Sequence, residues 1–170
     1  LQIRGRGNST WGFAKKPYRI KFQDKERLLG ADRAKAKSWT LLANAADKSL
    51  IRNAVTSLMG EFTSLKFNPA AKFVDFVLNG NYLGNYQISD QMEVRKRRVD
   101  VVEQDLPLLD TSDISGGYLL EVDGFMDGNC FTTSTYSVPI RIVYPDDEDI
   151  VASQNQYIKK YIADFETVLN

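Results

Sequence analysis

From Pro17 to Phe22 apolar and polar side chains alternate, with Tyr18, Ile20 and Phe22 on one side and Arg19 and Lys21 on the other. That period of two predicts a half-buried strand. Leu1-Gln2-Ile3-Arg4 alternates likewise and breaks at Gly5, where three glycines among polar residues up to Gly12 predict a turn-prone loop and no regular element. The basic stretch Arg27–Lys37 reads as a loop or short helical turn, and Ser38–Leu42 as a further strand. From Asp47 the period changes: Leu50, Ile51, Ala54, Val55, Leu58, Met59 and Phe62 form one helical stripe, with the Asp47 carboxylate placed to cap its start. Lys72–Leu78 and Tyr82–Ile88 flank Asn79-Gly80-Asn81, the signature of a β-hairpin.

The second half is less regular. Arg95-Lys96-Arg97-Arg98 predicts a solvated basic loop, Val99–Glu103 a strand, and the polar run Asp105–Ser115 a loop. Gly116-Gly117 launches a strand over Tyr118–Val122, and Val138–Tyr144 gives another, which Pro139 assigns to a sheet edge. Pro145–Asp149 is an acidic approach to a helix whose apolar face (Ile150, Val151, Tyr157, Ile158, Tyr161, Ile162, Phe165, Val168, Leu169) needs a partner. The order predicts an α+β fold with a largely antiparallel sheet and packed helices.

A chain of 170 residues, 43% hydrophobic and 26% charged, has the composition of one folded domain and not of a disordered tail or coiled coil. Twenty-two Lys and Arg balance 22 Asp and Glu, which argues against a basic field for nucleic acid or an anionic membrane. No apolar run approaches the roughly 18–20 residues of a membrane span. The absence of histidine excludes Ser-His-Asp and Cys-His catalysis and His-ligated zinc within the segment. Cys130 is single, so there is no internal disulfide, and it reads as a packing residue. The segment opens at Leu1 in strand-like sequence and stops at Asn170 directly after a helical pattern; residues 1–170 are therefore expected to be a single incomplete domain.

The strongest constellation is Arg4-Gly5-Arg6-Gly7-Asn8-Ser9-Thr10-Trp11 followed by Lys15-Lys16-Pro17-Tyr18. Glycines admit an anion close to the backbone, and arginines and lysines neutralise it, Arg in bidentate fashion. No Gly-Lys-Ser/Thr opens a helix, so this is not a Walker loop, and a polar turn with surface cations is the competing reading. Lys16, Arg19 and Lys21 lie in or beside the next strand, where a kinase-type enzyme places a phosphate-binding lysine held by a helix acid. The available acids, Asp47 and Glu61, read better as a cap and a solvated side chain. Glu121, Asp123 and Asp127 around Gly124 invite a magnesium reading, against which stands a turn-forming role for Asp beside Gly. Trp11, inside the polar loop, could lid a base or sugar.

Arg4–Trp11, Lys15–Phe22, Leu41–Asn44 with Asp47–Asn53, Leu78-Asn79-Gly80 with Leu83–Tyr86, and Gly116–Glu121 together resemble the spore-coat protein CotH family. The resemblance implies an atypical, secreted-type protein kinase that binds ATP with Mg2+ and phosphorylates serines of extracytoplasmic or coat proteins. It implies cofactor-binding roles for Arg4, Arg6, Gly7, Asn8, Ser9, Thr10, Trp11, Lys16, Lys21 and Glu121. The helix from Asp47 would be the regulatory helix of a kinase-like N-lobe, the hairpin its central strands, and 150–169 a helix leading toward a C-terminal lobe. The family's Asn-x-Asp and later Asp-x-Asp motifs are expected on that lobe, beyond Asn170. On this reading the fragment holds no catalytic residue or metal ligand, is inert alone, and has as partners the rest of its own chain and a serine-bearing protein. A non-catalytic structural or adhesive surface module of the same fold is the alternative, and a polysaccharide-binding domain using Trp11 and Trp39 a third.

Overall fold

Period-two alternation builds five strands in the first hundred residues. They are β1 (Gln2–Gly5), β2 (Tyr18–Glu26), β3 (Ala36–Leu42), β4 (Ala71–Leu78) and β5 (Asn81–Asp90), with helix α1 (Arg52–Gly60) between β3 and β4. All pair antiparallel, in the order β1-β2-β3-β5-β4. The computed structural model describes residues 1–104 and 113–169, which form two compact units, Leu1–Asp100 and Val101–Asn170.

In the first unit the register sets Ile20 opposite Trp39 and Tyr18 opposite Leu41. Ile20, Trp39 and Leu41 join Leu29, Ala36, Tyr86 and Ile88 in the core, with Tyr18, Phe22, Val74 and Phe76 packed around it. Arg19 and Lys21 take the opposite sheet face, where their register partners are Thr40 and Ser38. The hairpin is present, and its two loop residues both have positive φ, 51° at Asn79 and 82° at Gly80, as a two-residue turn matching strand twist requires. It does not supply the central strands: β5 lies beside β3 and leaves β4 at the edge.

Helix α1 begins five residues after Asp47, because Leu50 adopts a left-handed conformation (φ 63°) and turns the chain first. The capping role survives that detour. The Asp47 carboxylate accepts from Ser49 N–H, Ser49 Oγ–H and Arg52 N–H at 3.0, 2.7 and 2.9 Å. The predicted stripe is largely exposed, Phe62 most of all at 83%.

The basic run is not wholly solvated. Arg98 is 1% exposed, because its guanidinium finds Asp90 Oδ1 at 3.0 Å, Glu93 Oε1 at 2.9 Å and the Ser38 carbonyl at 3.0 Å. It also lies 4.6 Å from the centre of the fully buried Trp39 ring. A charge can be buried only with such complete pairing. The strand expected after it reduces to one parallel bridge between Val94 and Val99.

The second unit has β6 (Leu119–Val122), β7 (Cys130–Thr132) and β8 (Pro139–Tyr144) in the antiparallel order β6-β8-β7, then helix α2 (Ala152–Leu169). Pro139 does not put β8 at an edge. It is the first residue of the strand, so its missing N–H falls at the end of the ladder. β7, three residues long, is too short to show a period. Of the loop expected over Asp105–Ser115, residues 105–112 lie outside the described residues; Asp113 accepts from the Ser115 N–H and hydroxyl. Gln154, fully buried, accepts from Val151 N–H at 2.8 Å and so closes the start of α2. Ile158 is buried, whereas Tyr161, Phe165 and Val168 are exposed. No helix among the described residues is long and apolar enough to cross a membrane.

Two stability predictions follow from the buried charges. Arg98→Leu strands the Asp90 carboxylate and should cost about 3–5 kcal/mol in denaturant unfolding; adding Asp90→Asn, which keeps the acceptor for Ala70 N–H, should recover part of it. Burial pushes the Glu166 carboxyl up, but hydrogen bonds from Thr133, Thr135 and Tyr136 outweigh this and leave its pKa below the ordinary 4.5. A folded-state pKa depressed in this way adds stability above the unfolded value and loses it as pH falls through the folded one. Melting temperatures of the wild-type chain and of Glu166→Gln should therefore converge as pH falls below about 4.5, and differ most near neutrality.

Candidate functional site

The connection from β1 to β2 is closed at its base by Arg6 N–H to Pro17 O at 3.2 Å. Gly7 has φ 88°, and a Cβ there would strike the Thr10 hydroxyl, so only glycine fits. The loop is not without structure: Ser9–Gly12 forms a 3-10 turn, held by Trp11 N–H to Asn8 O at 3.1 Å and Phe13 N–H to Thr10 O at 3.3 Å. The Trp11 indole lies against Gly5, where any Cβ would collide with the ring. It stands nearly perpendicular to the Tyr18 ring, 6.1 Å between centroids, and the Lys16 ammonium sits 5.4 Å from its centre while donating to the Trp11 carbonyl. Tyr86 Oη–H donates to Lys16 O at 2.8 Å and ties the end of the loop to the sheet.

A second wall comes from the turn between β3 and α1. Asn44 adopts φ 51°, a conformation Asn tolerates better than most residues. Its amide donates to Leu50 O at 2.9 Å and Gln87 Oε1 at 3.0 Å and accepts from Asn53 Nδ2 at 2.8 Å. One side chain thereby joins the turn to β5 and α1. The Ser49 hydroxyl and then Arg52 N–H hold the Asp47 carboxyl below its usual range.

Between these walls is a hollow of about 470 Å³. Arg6, Gly7, Thr10 and Lys15 line it from the first loop, Asn44 and Asp47 from the turn, and Arg52 and Asn53 from the start of α1; its apolar part includes Phe13, Pro17, Leu42 and Ala43. Arg52 is 3.6 Å from Asp47, and Lys15 donates to Asn85 O with its ammonium 4.6 Å from the Tyr86 ring centre. Arg6 differs. It has no carboxylate partner and no side-chain hydrogen bond among the described residues, and burial, then the charge of Arg19, lower its pKa. It is a partly desolvated cation without a counter-ion.

The sequence matches the family described as CotH kinase protein over residues 3–170, well beyond the stretch that carries the quoted motifs. The chain belongs to the CotH kinase family. No curated protein matches it. The fold of this chain is α+β, and its first unit, an antiparallel five-stranded sheet with a helix between its third and fourth strands in chain order, is consistent with a kinase-like N-lobe.

Within the first unit of this CotH chain the nine expected cofactor residues there divide between two hollows and the loop that separates β1 from β2. Arg6, Gly7 and Thr10 line the hollow, while Asn8 and Ser9 begin the 3-10 turn. Trp11 and Lys16 pack on each other. Arg4 and Lys21 line a different hollow with Arg19. Glu121 is on β6 of the second unit, opposite Arg141. The kinase-type pairing of strand lysine with helix acid is not formed: Glu61 bonds Arg33 at 2.5 Å, Asp47 holds the turn, and Lys21 has no ion pair among the described residues. Asp123 accepts from Phe125 N–H at 3.0 Å, the turn role, and Asp127 pairs with Arg141 at 3.2 Å. Asp147-Glu148-Asp149 spells an Asp-x-Asp, yet the Asp147 carboxylate bonds Asn129 at 2.9 Å and lies 3.8 Å from Arg141. Cys130 donates to Asp127 O, and burial pushes its thiol pKa up. Lys15, Asn44, Arg52 and Asn53 all fall in the quoted motif blocks; what the sequence does not display is the turn that brings them together.

Adding a side chain at Gly5 tests the loop packing. Gly5→Val should displace Trp11, 41% exposed, and raise acrylamide quenching of the exposed fraction of tryptophan emission, leaving the contribution of Trp39, 0% exposed, unchanged.

Proposed function

We propose that this chain is the ATP-binding part of a CotH kinase that transfers the γ-phosphate to serines of secreted or coat proteins, and that the chain alone does not catalyse transfer. The observation that carries the nucleotide reading is Arg6, a cation without a carboxylate partner among the described residues, lining a hollow whose wall is a glycine-bearing loop. A guanidinium in that position offers a planar fork to phosphate oxygens. Gly7 lets the backbone come close to them, the Thr10 hydroxyl offers a further donor, and Lys15 adds charge while its ammonium stays on Asn85 O. Phe13, Leu42 and Ala43 supply the apolar surface that a base needs.

The residues present fit a phosphate group. They do not by themselves supply a magnesium site, because the one carboxylate that lines the hollow, Asp47, already accepts from Ser49 and Arg52. The phosphoryl-transfer step, which needs a metal and a base, is therefore not assigned to these residues. What the chain would do is hold the polyphosphate, orient it through Arg6 and exclude water with the loop.

Hydrogen bonds to a charged group are worth about 1.5–3 kcal/mol. Arg6→Ala should thus weaken ATP binding roughly tenfold to a hundredfold in calorimetric titration, and Arg6→Lys less, with unchanged circular dichroism. Equal affinity of Arg6→Ala and the wild-type chain would remove the basis of the nucleotide reading.

A further inference from the structure

The β1–β2 pair carries a second hollow, about 430 Å³, lined by Gln2, Ile3, Arg4, Arg19 and Lys21. The register sets Arg4 directly opposite Arg19 and Gln2 opposite Lys21, so the three cations share one sheet face. Like charges opposite each other in an antiparallel pair are destabilising. Arg19 registers the cost: burial first, then the charge of Arg4, lower its pKa. The acid whose charge reaches Arg19, Glu93, already accepts from Arg95 at 2.7 Å and Arg98 at 2.9 Å. Arg19 donates to the Ser38 hydroxyl at 3.2 Å, which brings no negative charge. Arg4 and Lys21 are exposed, and neither has a side-chain hydrogen bond or ion pair among the described residues.

Three cations, none of them ion-paired with a carboxylate among the described residues, are complementary to an external anion, and their layout says which kind. Arg19 and Lys21 are alternate residues of one strand, roughly 7 Å apart along it, which is also the separation of alternate side chains in an extended peptide. Arg4 lies one strand spacing to the side, about 5 Å. No residue of the connection from Gly7 to Pro17 lines this hollow, so it is not walled by the glycine-bearing loop. We propose that this face binds an extended acidic segment of the protein substrate, with carboxylates on alternate residues meeting Arg19 and Lys21 and Arg4 flanking them. Calling the partner a substrate rests on the kinase reading; the acidic, extended character of the segment does not.

The test is fluorescence anisotropy of the intact chain, without nucleotide, against a labelled peptide in which Glu alternates with Ser, and against the same peptide with Gln for every Glu. The Glu peptide should bind at least tenfold more tightly, with affinity falling as salt rises. The double variant Arg4→Gln/Lys21→Gln should lose at least tenfold for the Glu peptide and keep its ATP affinity. A charge-reversed pair, Arg4→Glu/Lys21→Glu, should instead prefer a peptide in which Lys alternates with Ser. Equal binding of the Glu and Gln peptides, or no effect of the double variant, overturns the proposal. So does loss of ATP binding in that variant, which would return these cations to the nucleotide, and so does salt-sensitive self-association that the variant abolishes, which would assign the face to a second copy. Failure of Arg6→Ala to weaken ATP binding would end the nucleotide reading and leave the peptide result standing.

Discussion

One strand with two unlike faces organises the first unit. Along Tyr18-Arg19-Ile20-Lys21-Phe22 the apolar members enter the core and the cationic ones stand on the other side of the sheet. A slip of one residue would exchange the faces, burying two charges and exposing three apolar rings and chains. The pairings of Ile20 with Trp39 and Tyr18 with Leu41 hold the register, and Arg98 clamps the same tryptophan through Asp90, Glu93 and the Ser38 carbonyl. Core and cationic face are thus products of one registration.

The hollow beside Arg6 depends on two loops whose conformations are fixed locally before any ligand arrives. Gly7 is in a conformation that side chains rarely adopt, and Gly5 leaves room for an indole. On the facing side, Asn44 replaces missing backbone partners with its own amide. Both loops are bonded to strand β5, through Tyr86 in one case and Gln87 in the other. A site built in this way is preorganised by the sheet it stands on.

What the sequence displayed and what it hid separate along physical lines. Features set by neighbours in sequence were legible: the Asn79-Gly80 turn, the alternation of β2, the capping carboxylate of Asp47. Features set by distant partners were not. The burial of Arg98 needs Asp90 and a carbonyl sixty residues earlier in the chain, and nothing in Arg95–Arg98 distinguishes it from its three neighbours. Helix α1 starts later than its apolar period suggests because the left-handed Leu50 is tied through its carbonyl to Asn44. The effect of Pro139 depends on whether it stands first or midway in a strand, and it stands first in β8. The division of the candidate cations was hidden for a similar reason: Arg4 and Arg6 are two residues apart, but the strand ends at Gly5, so the second arginine leaves the sheet face that the first one keeps.

The amide of Asn44 is bonded at once to α1 through Asn53 and to β5 through Gln87. Asn44 and Asn53 both line the hollow that Arg6 lines, so the bond between them belongs to that wall as much as to the start of the helix. The apolar flank of α1 is open to solvent, and whatever covers it would sit on the same helix that supplies Arg52 and Asn53.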